Sequence, residues 1–281
     1  MNHENAIEIN DLRCGYHGRV ILDVPRLIIP AGELVAVIGP NGSGKTTLAR
    51  AVSGIISPYR GTIRVNGQEI ARLSHRARAR ALAVVNQSVE ADTIAVEDYV
   101  LMGRLPHRPP TRLFETIEEI AIARENMHLA GIQVPGNTPM DRLSGGERQL
   151  AAIARALTQQ AGTLLLDEPT AHLDIAHQVQ VLDLVRRLNR ERGITVMLVI
   201  HDLNLAGEYS DRVILLDNGT PRFSGTPTEV LTPDNIERVY GARVVILPDP
   251  LSRKPRIFPV TGESSRGPGK DEISERWNAP R

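Results

Sequence analysis

Leu34-Val35-Ala36-Val37-Ile38-Gly39-Pro40-Asn41-Gly42-Ser43-Gly44-Lys45-Thr46-Thr47-Leu48-Ala49-Arg50-Ala51-Val52 decides how this chain folds. The first five residues are apolar and rich in β-branched side chains, which predicts a buried strand. The glycines and proline that follow predict a turn, and Thr47 onward reads as a helix. Gly39, Gly44, Lys45 and Thr46 have the spacing of a phosphate-binding loop. The chemistry resides in the backbone: along the loop of Gly39, Pro40, Asn41, Gly42, Ser43 and Gly44, the glycines let the N–H groups, which Pro40 alone lacks, curl around a polyphosphate. Lys45 reaches the terminal phosphates, Thr46 offers a hydroxyl to a magnesium ion, and Thr47 continues into the helix. The positive end of that helix faces the same anion. A glycine-rich turn matching by chance would need neither the strand before it nor the helix after it.

Composition sets the boundaries. The 281 residues can bury one large core or two modest ones, and 41% hydrophobic with 23% charged residues is ordinary for a globular chain. Basic and acidic residues balance at 33 each, so no strong global field attracts nucleic acid or anionic lipid, and nucleic acid is not an expected partner. Cys14 is the sole cysteine, which excludes an intramolecular disulfide and fits a reducing compartment. Apolar runs such as Ile194 to Ile200 are far too short to span a bilayer. Met1-Asn2-His3-Glu4-Asn5 lacks the charged-then-apolar pattern of a secretory signal, so a cytoplasmic location is expected.

Outward from the loop, Ile7 to Ile29 alternates apolar and polar residues, interrupted by Gly15, Gly18 and Pro25, which predicts antiparallel strands. Gly61 to Gly67 repeats the β pattern and turns at Asn66-Gly67, and Leu82 to Val85 reads as a buried strand. From about Val96 to Ala161 apolar residues recur at helical spacing, the signature of a helical insertion. Thr163 to Leu166, the helical Ala176 to Arg190, and Ile194 to Ile200 form a strand–helix–strand series that implies a parallel βαβ unit. Arg212 to Leu216 predicts a strand turning at Asp217-Asn218-Gly219. Thr226-Pro227-Thr228-Glu229 is a helix start with a capping box, and Thr232-Pro233 opens another helix. Ala242 to Leu247 and Arg256 to Val260 read as a final hairpin, and the polar stretch from about Gly262 to Arg281 as disorder.

Two further motifs carry chemistry. Leu164-Leu165-Leu166-Asp167-Glu168-Pro169 sets adjacent carboxylates at the end of a buried strand. Asp167 can hold the magnesium shell through water, while Glu168 can take a proton from a water attacking the γ-phosphate. Taken alone, the same residues also describe a solvated turn. Leu143-Ser144-Gly145-Gly146-Glu147-Arg148-Gln149 contains a capping box, Ser144 with Glu147, opening a helix from about Gly145 to Leu157. Gly145 and Gly146 cost backbone entropy in a first turn, and they make sense if an anion must approach the amides closely.

These three motifs, in this order, resemble the nucleotide-binding subunit of an ATP-binding cassette (ABC) transporter, over roughly Ile7 to Gly225. The resemblance implies the α/β fold of that family: a P-loop core with a parallel sheet, an N-terminal antiparallel β subdomain and an inserted α-helical subdomain. Residues 1–260 would form the ATPase domain, with the helical subdomain at about 88–161, a C-terminal extension at about 226–260, and 261–281 as a tail. It implies ATP and Mg2+ as cofactors, and further residues follow one at a time. Gln87 looks like the glutamine that senses magnesium and the attacking water and relays to the permease. His201, directly after a strand, looks like the switch histidine that contacts the γ-phosphate, and Asp174 resembles the aspartate of the subunit interface. Tyr16 fits two roles, stacking on adenine or packing on the sheet. Ser144, Gly145 and Gly146 would complete the nucleotide site of a second copy, so a head-to-tail homodimer is implied.

The stretch Thr93 to His107 and Thr170 to Asp174 are similar to the importer subfamily for iron-siderophores, haem and cobalamin. That similarity implies separate integral-membrane permease subunits, indirectly a substrate-binding protein, and a peripheral position on the cytoplasmic face of the cell membrane. The readings left beside it are an exporter ATPase subunit, a soluble cassette protein remodelling ribosomes or DNA, and a regulatory nucleotide switch. Glu168 and His201 together argue against the last.

Overall fold

Alternating burial folds residues 5–30 into two long strands, β1 (Asn5–Tyr16) and β2 (Arg19–Pro30), paired antiparallel from Asn5 opposite Pro30 to Tyr16 opposite Arg19. The computed structural model describes residues 4–87, 93–109, 111–112 and 114–260; the start of the helical insertion at 88–92 and the expected tail at 261–281 lie outside them. Of the three expected breaks only Gly18 turns the chain. Gly15 sits at a register shift inside the ladder, and Pro25 is carried on β2, the outer strand of its sheet, where a missing N–H is tolerated. The chain continues through β3 (Leu34–Ile38), α1 (Lys45–Val52), β4 (Arg60–Val65), β5 (Gln68–Glu69), α2 (His75–Ala81) and β6 (Leu82–Val85). The order β2-β1-β4-β5 makes a four-stranded antiparallel sheet, with the Asn66-Gly67 turn between β4 and β5 as expected. Cys14 is fully buried in it, and burial pushes its thiol pKa up to about 11.

The helical insertion contains α3 (Val96–Leu101), α4 (Ile117–Leu129) and α5 (Gly145–Thr158). Then come β7 (Thr163–Asp167), α6 (Ile175–Arg192), β8 (Thr195–Val199), α7 (Leu203–Tyr209), β9 (Arg212–Asp217) and β10 (Thr220–Gly225). The second sheet has the order β10-β9-β3-β8-β7-β6; all neighbours are parallel except β10 on β9. As the βαβ pattern predicts, β7 and β8 are adjacent and parallel, joined by α6. The chain closes with α8 (Pro227–Val230), α9 (Pro233–Tyr240) and the antiparallel pair β11 (Val244–Pro248) and β12 (Pro255–Pro259).

All five residues of β3 are buried, which is why its sequence is continuously apolar. Successive side chains take opposite faces: Val35 and Val37 join Ile9, Leu48 and Ile63 in a core under the antiparallel sheet, while Ala36 and Ile38 join Ile153, Leu182 and Leu198 under the helices. The central sheet is thus covered on both sides. Its carboxyl edge, where β3, β7 and β8 end together, is the place for a ligand.

The helical insertion is braced by a buried ionic cluster. Glu119, in the first turn of α4, accepts from Arg108 Nε at 3.2 Å and from Arg112, and its carboxylate also accepts from the Thr116 N–H to close a capping box. Arg108 and Glu119 are both buried, and without Glu119 the buried Arg108 keeps only the more exposed carboxylate of Glu115, at 2.8 Å. Glu119→Ala should destabilise the protein by about 3 kcal/mol. A urea unfolding midpoint unchanged from the parent chain would contradict this.

Candidate functional site

β3 delivers the chain into the loop from Gly39 to Gly44, and the backbone there is committed before any ligand is considered. Gly39 has φ 155°, and a Cβ on it would lie 2.4 Å from the Leu216 carbonyl oxygen and 2.6 Å from Ser43 Oγ. Gly44, at φ 101°, precedes α1 and would drive a Cβ to 2.7 Å from the Leu22 side chain. Both positions therefore require glycine. Lys45 is 5% exposed and turns back over the loop, its ammonium donating to the carbonyls of Gly39 at 2.8 Å and Pro40 at 3.1 Å. Burial pulls its pKa down, and the nearby charges of Glu168 and Asp167 oppose that shift.

The carboxylates meet the loop from β7. Asp167 ends the strand and is held largely away from solvent; burial, then Glu168, pushes its pKa up against the pull of Arg50, Lys45 and His201. Its Oδ1 is buried with no hydrogen-bond partner. Asp167 lines a cavity of about 630 Å3 together with Thr46 and Gln87, so three oxygen-bearing side chains border one space. Carboxylate, hydroxyl and amide oxygens with few protein ligands are the donor set that suits Mg2+, which takes its remaining ligands from water and phosphate. The residues present therefore fit the ion.

Glu168 adopts a left-handed backbone, φ 53°, with its N–H donating to the Val199 carbonyl of the neighbouring strand at 2.9 Å. This turn swings its side chain to the carboxyl edge, where one carboxylate oxygen accepts from Gln87 Nε2 at 2.8 Å and the other lies 2.5 Å from His201 Nε2. Three residues widely separated in sequence thus form one hydrogen-bonded group. Tyr16, Asn41, Thr46, Thr47, Glu168 and His201 border a second cavity of about 440 Å3 over the loop. The Tyr16 hydroxyl accepts from Arg50 at 3.2 Å at this mouth, leaving its ring beside the loop and not in the sheet core.

Ser144, Gly145, Gly146 and Asp174 do not border that cavity; they stand together elsewhere, at the N-termini of α5 and α6. Ser144 and Glu147 form the expected capping box, with Ser144 N–H donating to Glu147 at 2.8 Å. Gly146 has a second reason to be glycine: a Cβ there would fall 2.0 Å from the ring of His177. Asp174 caps α6 through the His177 N–H at 2.8 Å and also meets His177 Nδ1 at 2.8 Å. Gly145, by contrast, faces only an ordinary contact with Leu173. His177 and Arg50 are residues that motif reading passed over. Both carry a helical-spacing signal: His177 lies three residues after the capping Asp174, and Arg50 one turn after Thr46.

Comparison with known proteins places this geometry. Residues 22–171 match the family described as ABC transporter. The achromobactin transport ATP-binding protein of Dickeya dadantii is 37% identical over 259 residues, covering 92% of this chain and 96% of that protein. The hemin import ATP-binding protein of Gloeobacter violaceus is 40% identical, covering 90% of this chain and 94% of the other. Among solved structures, the inward-facing conformation of a putative metal-chelate type ABC transporter superposes with a TM-score of 0.79 at 26% identity, over 93% of this chain and 99% of that one.

Gly146→Ala should push the His177 ring off Asp174 and lower stability by about 1–3 kcal/mol. Adding His177→Ala to that variant should recover most of the loss in thermal unfolding. An unaltered melting temperature in the single variant would refute the packing constraint.

Proposed function

The chain belongs to the ABC transporter family and is an ATPase, and from that premise we propose that it powers an importer for a metal chelate, as a homodimer seated on separate integral-membrane permease subunits. The observation that carries the catalytic part is the convergence of Lys45, Thr46, Asp167, Glu168, Gln87 and His201 where β3, β7 and β8 end. The import part rests on relatives named for achromobactin and hemin, which share 37% and 40% of their aligned residues with this chain.

In this reading the loop amides and the Lys45 ammonium bind the β- and γ-phosphates, with Tyr16 beside the base. Lys45 exchanges its two carbonyl partners for phosphate oxygens, a charge-assisted bond that is stronger than the one it gives up. Thr46, Gln87 and Asp167 would hold Mg2+, which would neutralise phosphate charge when bound. Glu168 takes the proton of the attacking water, a contribution of about 10²–10⁴ in rate. Gln87 holds that carboxylate, and His201 passes from Glu168 to the γ-phosphate. Ser144, Gly145 and Gly146 border no part of this chain's own loop cavity, which supports their role in the site of a second copy, with Asp174 at the interface. A γ-phosphate bound from both sides makes dimer affinity depend on nucleotide state.

The permease contact falls to the cavity that adjoins Gln87. Its walls carry Ile55, Met102, Tyr99 and Arg155, with the Arg155 guanidinium 4.6 Å from the centre of the Tyr99 ring. Ile55 and Met102 are exposed large apolar side chains, suited to a short segment from a membrane partner. Among the described residues no helix is long and apolar enough to cross a membrane.

Glu168→Gln should keep ATP affinity while turnover falls by about 10²–10⁴ and an ATP-bound dimer accumulates on gel filtration; rapid turnover would remove Glu168 from the role of base. Lys45→Ala should weaken ATP binding by about tenfold or more in equilibrium titration, in keeping with the loss of a charged hydrogen bond. Uptake by proteoliposomes containing the chain and its permease, offered a panel of ferric siderophores, haem and cobalamin, tests import. Transport in the opposite direction would overturn it.

A further inference from the structure

His201 stands two residues ahead of α7, next to its N-cap Asp202, and α7 is a seven-residue helix. So short a helix has little stability of its own, so its placement must come from its neighbours. Asp202 caps it, accepting from the N–H groups of Asn204 and Leu205 at 2.8 and 2.9 Å, which makes the switch residue and the helix one continuous piece. Beyond the cap, much of the holding comes from the hairpin of β11 and β12, some fifty residues later in sequence.

The hairpin grips α7 at both ends. Near the start, the Asn204 side chain pairs with the backbone of β12 as another strand would: the Ile257 N–H donates to Asn204 Oδ1 at 2.8 Å, and Asn204 Nδ2 donates to the Ile257 carbonyl at 3.3 Å. Midway, Pro255 packs beside Gly207, its carbonyl oxygen at ordinary contact, 3.5 Å from where a Cβ would stand. At the far end, Lys254 Nζ donates to the carbonyls of Glu208 at 2.5 Å and Ser210 at 3.3 Å, taking up acceptors that the helix terminus leaves open. Ser252 donates to the Glu208 carboxylate at 2.9 Å, and Arg256 lies 3.5 Å from it. Burial lowers the Lys254 pKa, with Arg186 adding to the shift. The opposite side of α7 is fixed to α6 through the Tyr209 hydroxyl, which donates to Asp183 at 2.9 Å.

We propose that the β11–β12 hairpin is a brace that sets where His201 stands relative to Glu168, with Asn204 and Lys254 as positioning residues for ATP turnover. The inference rests on the reading of His201 as the γ-phosphate contact. Fixing α7 at its start and its end leaves it neither free to slide nor free to roll, and His201 holds its 2.5 Å approach to Glu168 from that rigid base. An ångström of misplacement at such a contact is costly in rate while leaving substrate affinity, which the loop supplies, largely untouched.

The test compares Asn204→Ala and Lys254→Met with Glu119→Ala, which destabilises the chain far from α7. With each hairpin variant, kcat for ATP should fall roughly tenfold while KM stays within about twofold. The imidazole carbon signals of His201, assigned by their absence in His201→Ala, should shift in nuclear magnetic resonance spectra of both variants and stay in place in Glu119→Ala. Unchanged kcat in both hairpin variants, or a fall in kcat with the His201 signals unmoved, overturns the brace. Wild-type turnover by His201→Ala overturns the reading of His201 itself and the brace with it.

Discussion

The structure depends on β3 lying between β8 and β9, parallel to both. A strand hydrogen-bonded on each side and buried on each face cannot shift its register without turning Val35 and Val37 into the wrong core. Its end is therefore a fixed point. The loop that follows is tied to the neighbouring strand region by the Gly219 N–H, which donates to the Ser43 carbonyl at 2.9 Å, and by the tight approach of Gly39 to Leu216. Because β7 and β8 run the same way in the same sheet, the carboxylates and His201 emerge at the level of that loop. Parallel alignment is what converts three distant motifs into one site.

The site is also a set of bonds that have to be exchanged. Lys45 rests on two backbone carbonyls, Glu168 is shared by Gln87 and His201, and Asp167 keeps a buried oxygen without a partner. In the proposed function a phosphate replaces the carbonyls at Lys45, a water meets Glu168, and a cation would take the oxygen that Asp167 leaves unpaired. Binding energy is available to reorganise the edge, and two of the side chains involved adjoin other elements: Gln87 stands just ahead of the helical insertion in sequence, and His201 two residues ahead of α7.

What could be read from residue order was whatever depends on local spacing. The loop from Gly39 to Thr46, the carboxylates after β7 and the caps at Ser144 and Thr226 all stand where their motifs put them, since a turn or a cap is determined within a few residues. Gly15 and Pro25 misled because a strand tolerates a glycine at a bulge and a proline on its outer edge, and neither condition is visible until the partner strand is known. The fit of His177 against Gly146 and the grip of the hairpin on α7 join elements about thirty and fifty residues apart, through packing and backbone pairing that no periodicity reports. The left-handed turn at Glu168 is likewise invisible in order alone. It follows from the Val199 carbonyl of the adjacent strand.

Cys14, shut inside the antiparallel sheet with its thiol held in the protonated form at ordinary pH, makes the folded chain a blank for thiol chemistry. A single cysteine placed anywhere on the surface would then be the one group to take a fluorophore or a spin label, without first removing the native residue from the core it helps to fill. The protein comes already prepared for watching one chosen point move.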